Sequence, residues 1–483
     1  MSGPAPVGAA VEEAPPLDPR RWRALSILAL VQLMLILDTT VVNVALPTIR
    51  DGLGFTTAGL AWVVNGYALA SGGLLVLGGR LGDLLGRRRV FLAGVTLFAL
   101  ASLACGLAVE PWQLVAGRFA QGAGGALAAP SALALVALLF PDARERSRAL
   151  AVWGGLTGIG GTAGVLLSGV LTDLASWRWV FLLNLPIAAA ALLLVPRLVP
   201  SRAPAGSRPL DLTGAVLVTA GLVLLIDGLL QLGDGASSAP AVVLRLAGGA
   251  ALVLAFLAVE ARAAAPLVPL PFFRDRTRAT AYGATVVSAT AMASVFYLLT
   301  LHMQGVLGWS PLRIGLAWVP FGGAMLAGVS LAGAGVRRVG LRWVLVAGFA
   351  VSAAGLAVLA QMGTTATFTA DVLPGTLLLA LGLGLSLPTV QVAALHGTTD
   401  RDAGLASGVH ATASHLGGSV GLAVFVAVAV ARSDAGRADG EPLAAAVAAG
   451  HSLAWWVATG LLVAGAVLAA VLVRPREGPA VRG

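Results

Sequence analysis

The chain has 483 residues, 58% of them hydrophobic and only 11% charged, with a mean hydropathy of +0.90. Soluble globules run near half apolar and a quarter charged, so this composition excludes one and calls for an integral membrane protein. The net charge of +9 rests on arginine alone, and a chain without lysine has no Gly-x-x-x-x-Gly-Lys-Ser/Thr loop, which excludes nucleotide-driven pumping by this polypeptide.

Residues 1 to 23 open the chain as a Pro- and Ala-rich disordered cytoplasmic tail. The apolar run that follows Arg20, Arg21 and Arg23 is too long for a signal peptide, and no small-x-small cleavage pattern ends it. Apolar runs then recur to residue 473, each long enough to cross a hydrocarbon core of ~30 Å at 1.5 Å per residue. In lipid such runs are helices, because a helix satisfies its own backbone groups. Fourteen are expected: 24 to 46, 58 to 79, 90 to 109, 112 to 137, 148 to 171, 178 to 198, 212 to 232, 241 to 261, 279 to 304, 312 to 333, 341 to 362, 370 to 396, 403 to 431 and 452 to 473. Residues 432 to 451 read as the longest external loop, and 474 to 483 as a cytoplasmic tail.

An internal repeat orders these runs. Gly79, Asp83, Gly86, Arg88 and Gly94 return 254 residues later as Gly333, Arg337, Gly340, Arg342 and Gly348. The copies follow spans 2 and 10, so the expected fold is all-α, two six-helix bundles over residues 24 to 198 and 263 to 473 with a two-helix insert. Residues 199 to 262 hold a linker, Ser201 to Pro209, and inserted helices 7 and 8. The segment 263 to 278 reads as a second linker.

An even span count puts both termini on one side. The termini and even-numbered loops carry 24 of the 31 Arg, whereas the other side has six, Arg50, Arg178, Arg245, Arg313, Arg432 and Arg437. By the positive-inside rule both termini are cytoplasmic. These arginines sit in short loops facing lipid headgroups rather than on a soluble face, which argues against a nucleic-acid partner. Cys105, the single cysteine, lies inside a span as a packing residue.

Ionisable groups inside spans are costly, so each is a functional candidate. Asp38 in span 1 and Arg118 in span 4 reach a common depth, about 21 Å from one face. Asp38 reads either as a proton or cation site or as a static ion pair with Arg118 or a polar neighbour, Gln32, Asn43 or Gln121. Asp227 in span 7 is either functional or holds its helix end through Gln231. His302, His410 and His415 relay protons or pack as polar groups. No His, Cys or carboxylate cluster has metal-ligand spacing, and no cofactor is implied. The loop Gly79, Arg80, Asp83, Gly86, Arg87, Arg88 has the composition of a hinge that grips helix ends, a gate rather than a topology signal alone. In span 5, Gly154, Gly155, Gly158, Gly160, Gly161, Gly164 and Gly169 form a face along which helices pack closely or slide.

Together Leu37-Asp38-Thr39-Thr40 with Asn43 to Pro47, the Gly79 to Arg89 loop, Arg118 to Gly122, Trp177 to Pro186 and Gly308 to Gly315 resemble the major facilitator superfamily, and within it the fourteen-helix drug:proton antiporter family. The resemblance spans residues 24 to 473 and implies a multidrug efflux transporter of the plasma membrane. Two bundles would rock about a central cavity, with protons driving export of lipophilic, often cationic compounds. It implies proton coupling at Asp38, Arg118 and Gln121 and gating at Asp83. The family's span 5 signature, Gly-Pro-x-x-Gly-Gly, stands here as Gly164-Val165-Leu166-Leu167-Ser168-Gly169, without the proline that would kink the helix. Trp62, Tyr67, Asp227, Phe296, Tyr297 and Trp318 are the expected cavity lining, suited to apolar ligands. Lipids, protons and a small lipophilic substrate are the expected partners of a monomer. A symporter or exporter of a defined metabolite, and a non-transporting sensor or subunit, are the alternatives.

Overall fold

The computed structural model describes residues 20 to 140, 142 to 200, 212 to 234, 238 to 263, 273 to 394 and 403 to 473. Residues 1 to 19 and 474 to 483 of the expected tails, the linker 201 to 209 and residues 264 to 272 of the second linker lie outside the described residues, and the expected tail is shorter than 1 to 23 because helix begins at Arg21.

The described residues are helical throughout, with no strand. The first group is α1 (Arg21–Leu53), α2 (Thr57–Leu85), α3 (Arg87–Leu107), α4 (Pro111–Leu139), α5 (Ala143–Leu174), the single turn α6 (Trp179–Leu182) and α7 (Asn184–Leu198). An inserted hairpin follows, α8 (Leu212–Asp234) and α9 (Ala239–Glu260). The second group is α10 (Arg276–Leu301), α11 (Pro311–Ala317), α12 (Val319–Leu359), α13 (Leu373–Ala394), α14 (Ala403–Ala438) and α15 (Leu443–Leu472). Single π-turns at His302–Val306 and Phe368–Val372 extend α10 and precede α13.

Among the described residues twelve helices are long and apolar enough to cross a membrane, which makes this a multi-pass membrane protein. Pro311–Leu359 is one of the twelve, whereas α5 is not among them, its apolar stretch Ala163–Leu174 being shorter. Two expected loops are helical instead. Residues 333 to 340 run inside the 41-residue α12, interrupted only by Gly340 at φ 84° and ψ 160°. Residues 432 to 451 are not a long loop: α14 continues to Ala438, Gly440 turns at φ 87°, and α15 starts at Leu443. Alanine-rich sequence on both sides of that turn favours helix, and Arg432 pairs with Glu441 across it at 3.0 Å.

Glycine sets the packing. In the first group Gly117 presses on the Ala101 to Cys105 turn and Gly124 on Gly94 and Phe98, backbone to backbone. In the second group Gly375 presses on Gly355 and Leu359, and Gly382 on Gly348 and Ser352. A Cβ at Gly124 or Gly382 would stand 2.7 or 2.5 Å from a neighbouring backbone nitrogen, so only glycine fits. Helix α8 packs on α9 and also on both α2 and α14, lying over the seam where those two helices meet.

Candidate functional site

Five polar side chains meet in the buried interior of the first group. Asp38 comes from α1, Ser102 from α3, Arg118 and Gln121 from one face of α4, and Asn184 from the first residue of α7. Asp38 Oδ2 accepts from Arg118 Nη1 at 2.5 Å, and Oδ1 accepts from Gln121 Nε2 at 3.0 Å and Asn184 Nδ2 at 2.9 Å. Both ionic side chains are closed to solvent, at 2% and 0% exposure. Arg118 further donates from Nε to the Val63 carbonyl at 2.7 Å and from Nη1 to Gln121 Oε1 at 2.9 Å. Its guanidinium lies 4.5 Å from the centre of the Tyr67 ring and 6.0 Å from that of Phe181. Ser102 Oγ accepts from Gln121 at 2.8 Å and from Asn184 at 3.3 Å.

A buried ion pair survives where its remaining donors and lone pairs are satisfied, because desolvation otherwise exceeds the Coulombic gain. This cluster meets that condition, and removing one partner would leave a bare charge in low dielectric. The sequence pointed to Asp38, Arg118 and Gln121, and the structure brings these three together. Ser102 and Asn184 were not marked as site residues. Asn184 had a signal, as the one uncharged polar amide of the Trp177 to Pro186 segment, whereas Ser102 is one of many small residues in α3.

The other candidate residues divide. Gly79 and Arg80 lie in the last turns of α2, and Gly86, at φ 94°, separates α2 from α3. Asp83 pairs with Arg87 one turn on, at 2.9 Å, and Arg88 Nη1 donates to the Val199 carbonyl at 2.8 Å, holding the C-terminal end of α7. On the opposite face Arg178 plays the same part for α3, donating to the Gly106 and Ala108 carbonyls at 3.0 and 2.6 Å.

Phe296 stacks on Trp318 with ring centres 4.1 Å apart, and Phe321 sits edge-on to both. Tyr297 is fully buried beside them in sequence. Trp62 faces elsewhere, toward Phe119 and an apolar groove of about 640 Å³ that includes Trp112 and Val223 of α8. Asp227 bonds Gln231, as expected, and also Arg245 of α9 at 2.8 Å, so its charge is met inside the inserted hairpin. Among the buried polar groups without a hydrogen-bond partner in the structure are both amide atoms of Asn65 and the indole N–H of Trp318. Among the described residues no three His, Cys, Asp or Glu side chains converge on a metal position.

Long apolar helices around a buried, hydrogen-bonded ion pair define a polytopic membrane transporter rather than an enzyme. The chain belongs to the Major Facilitator Superfamily, whose model matches residues 28–422. It is 41% identical over 459 residues to the lincomycin resistance protein of Streptomyces lincolnensis, covering 94% of this chain and 92% of that protein. It is 36% identical over 481 residues to the puromycin resistance protein pur8 of Streptomyces alboniger, covering 98% and 94%. A cephamycin export protein of Amycolatopsis lactamdurans is 40% identical over 399 residues, 82% of each chain. Among solved structures, an autoinhibited peptide transporter of the POT family superposes with a TM-score of 0.68 at 15% identity, covering 95% of this chain and 99% of that one, a likeness of fold.

Proposed function

We propose that this transporter exports lipophilic, often cationic small molecules in exchange for protons, and that Asp38 is the group that carries the proton. The single observation behind this is a buried carboxylate held by side chains from three other helices, α4, α7 and, through Ser102, α3. A shift of α1 against both α4 and α7 would part Asp38 from Arg118, Gln121 and Asn184 together. The carboxylate would then be left bare in a cavity, where taking a proton restores neutrality, and the return movement would expel that proton as the arginine re-engages. Export of antibiotics is the reading suited by relatives named for lincomycin and puromycin resistance and for cephamycin export.

The proposed architecture is fourteen spans in two six-helix bundles, residues 24 to 198 and 263 to 473, with 199 to 262 as linker and insert. Two features support the larger count. A 41-residue α12 is about 60 Å long, twice a hydrocarbon core, and breaks at Gly340. The 32-residue α5 is long enough to span by itself. Both termini are proposed to be cytoplasmic in the plasma membrane, on the arginine-rich side. Cargo would meet the Phe296, Trp318 and Phe321 rings, and the unpaired Asn65 amide and Trp318 N–H would supply polar contacts. The Asp83 to Arg88 loop would act as the gate on the arginine-rich face.

Efflux of a fluorescent cation in inverted membrane vesicles tests the coupling. Asp38→Asn should abolish proton-driven movement while the protein still inserts. Efflux equal to that of the unaltered protein would remove Asp38 from the mechanism.

A further inference from the structure

A second buried titratable pair lies in the other helix group and takes no part in the site above. His302, the first residue of the π-turn that ends α10, and His451, in the third turn of α15, face each other with their Nδ1 atoms 3.2 Å apart. His302 is fully buried and His451 is 6% exposed. The Trp455 ring lies 5.6 Å from one imidazole and 5.9 Å from the other. The His302 ring lies beside the Gly363 backbone, and its Nε2 has no hydrogen-bond partner within normal geometry. At that separation the two Nδ1 atoms share one hydrogen, so one ring donates and the other accepts.

We propose that His302 and His451 form a second proton-binding site, loaded from the face opposite the arginine-rich loops. An added proton occupies the accepting Nδ1, turns that ring into an imidazolium, and replaces the hydrogen bond by two N–H groups pointed at each other. The contact between the π-turn and α15 then opens.

Three features support the assignment. First, the pair is close to water. Gly363 and Ser452, next to the two rings in space and in sequence, line an open depression of about 570 Å³ together with Gln361, Ala448 and Ala449. Second, no neighbouring charge is free to neutralise an imidazolium there. Helix α15 has no ionisable residue besides His451, and neither the 360 to 367 segment nor the π-turn has a charged one. In α10, Arg276 and Arg278 lie at the far end. Of the charges at the near end, Arg432 pairs with Glu441, Asp371 accepts from the Thr367 backbone, and Arg313 lies over Trp309. Asp434 and Arg437 on α14 and Asp439 in the turn after it are exposed. Third, the π-turn continues the helix that touches α1, the helix of Asp38. Single π-turns recur at functional positions because they add a residue that a small shift can take up.

The assignment rests on the exchange reading of Asp38 for its purpose but not for its chemistry, and the test separates the two. Tryptophan fluorescence of the purified full-length protein in detergent is followed from neutral to acid pH, with Trp455→Phe used to isolate the Trp455 signal. Protonation beside that indole should quench it. His302→Gln and His451→Gln should each remove the acid-titrating component, and Asp38→Asn should leave it in place. In proteoliposomes the double variant should take up one fewer proton per transporter on acidification of the loading face. Thermal unfolding identifies any variant that is misfolded, and glutamine at either position keeps a hydrogen-bonding group for the remaining ring. An acid transition of Trp455 that persists in both histidine variants, or none in the unaltered protein, would reduce the pair to polar packing. A transition lost in Asp38→Asn would assign it to the other site.

Discussion

The two helix groups share a frame and differ in what fills it. Gly117 and Gly375, like Gly124 and Gly382, stand 258 residues apart and make the same close approaches to α3 and α12. In that register the counterparts of Arg118 and Gln121 are Thr376 and Leu379, both buried. Thr376 donates to the Val372 carbonyl of the preceding π-turn, and Leu379 joins the apolar core. The first group thus places a charge pair where the second places ordinary packing. A duplicated scaffold tolerates both fillings because glycine contacts, not the polar residues, set the helix spacing. Cost and consequence of the charges are therefore confined to one half.

The largest expected effect breaks the comparison at its centre. Asp38→Ala should abolish proton-driven efflux and cost about 3–5 kcal/mol of stability by leaving Arg118 buried and unpaired. Thr376→Ala should cost no more than about 1 kcal/mol and retain efflux, and vesicle efflux with thermal unfolding in detergent measures both. Asn184→Ala removes one donor from the carboxylate and should cost about 2.5 kcal/mol. Its signature is a slower exchange with cargo affinity unchanged. Next come Gly124→Val and Gly382→Val. Each should cost about 2 kcal/mol through overpacking, by equal amounts if the shared frame is real, read from paired thermal melts. The smallest effect concerns the loops. Gly86→Ala and Gly340→Ala force a side chain to positive φ and should each cost about 1 kcal/mol. Proteolytic cleavage at these turns is the matching readout.

Much of this comparison was legible in the residues. The repeat from Gly79 to Gly94 located Gly86 and Gly340, and both hold the left-handed backbone that such a match implies. Asp38, Arg118 and Gln121 stood out because charge inside an apolar run is expensive. The position of Trp62 and the Arg245 partner of Asp227 were not legible, since both depend on helix rotation and on where the inserted hairpin docks. Composition also misled at residues 432 to 451. Polar side chains there suggested a loop, yet alanine carries the helix past the apolar stretch. His451 carries no signal in the sequence for a similar reason, because its partner is 149 residues away and only packing joins them.

The inserted hairpin has a mechanical corollary. Thr219 of α8 lies against Gly73 of α2, where even a Cβ would collide, and the same helix rests on α14. Any tilting that parts α2 from α14 along this edge must lift α8 from one of them. If transport rocks one helix group against the other, the hairpin acts as a clamp fastened to both, and the distance it can slide sets how wide this edge parts.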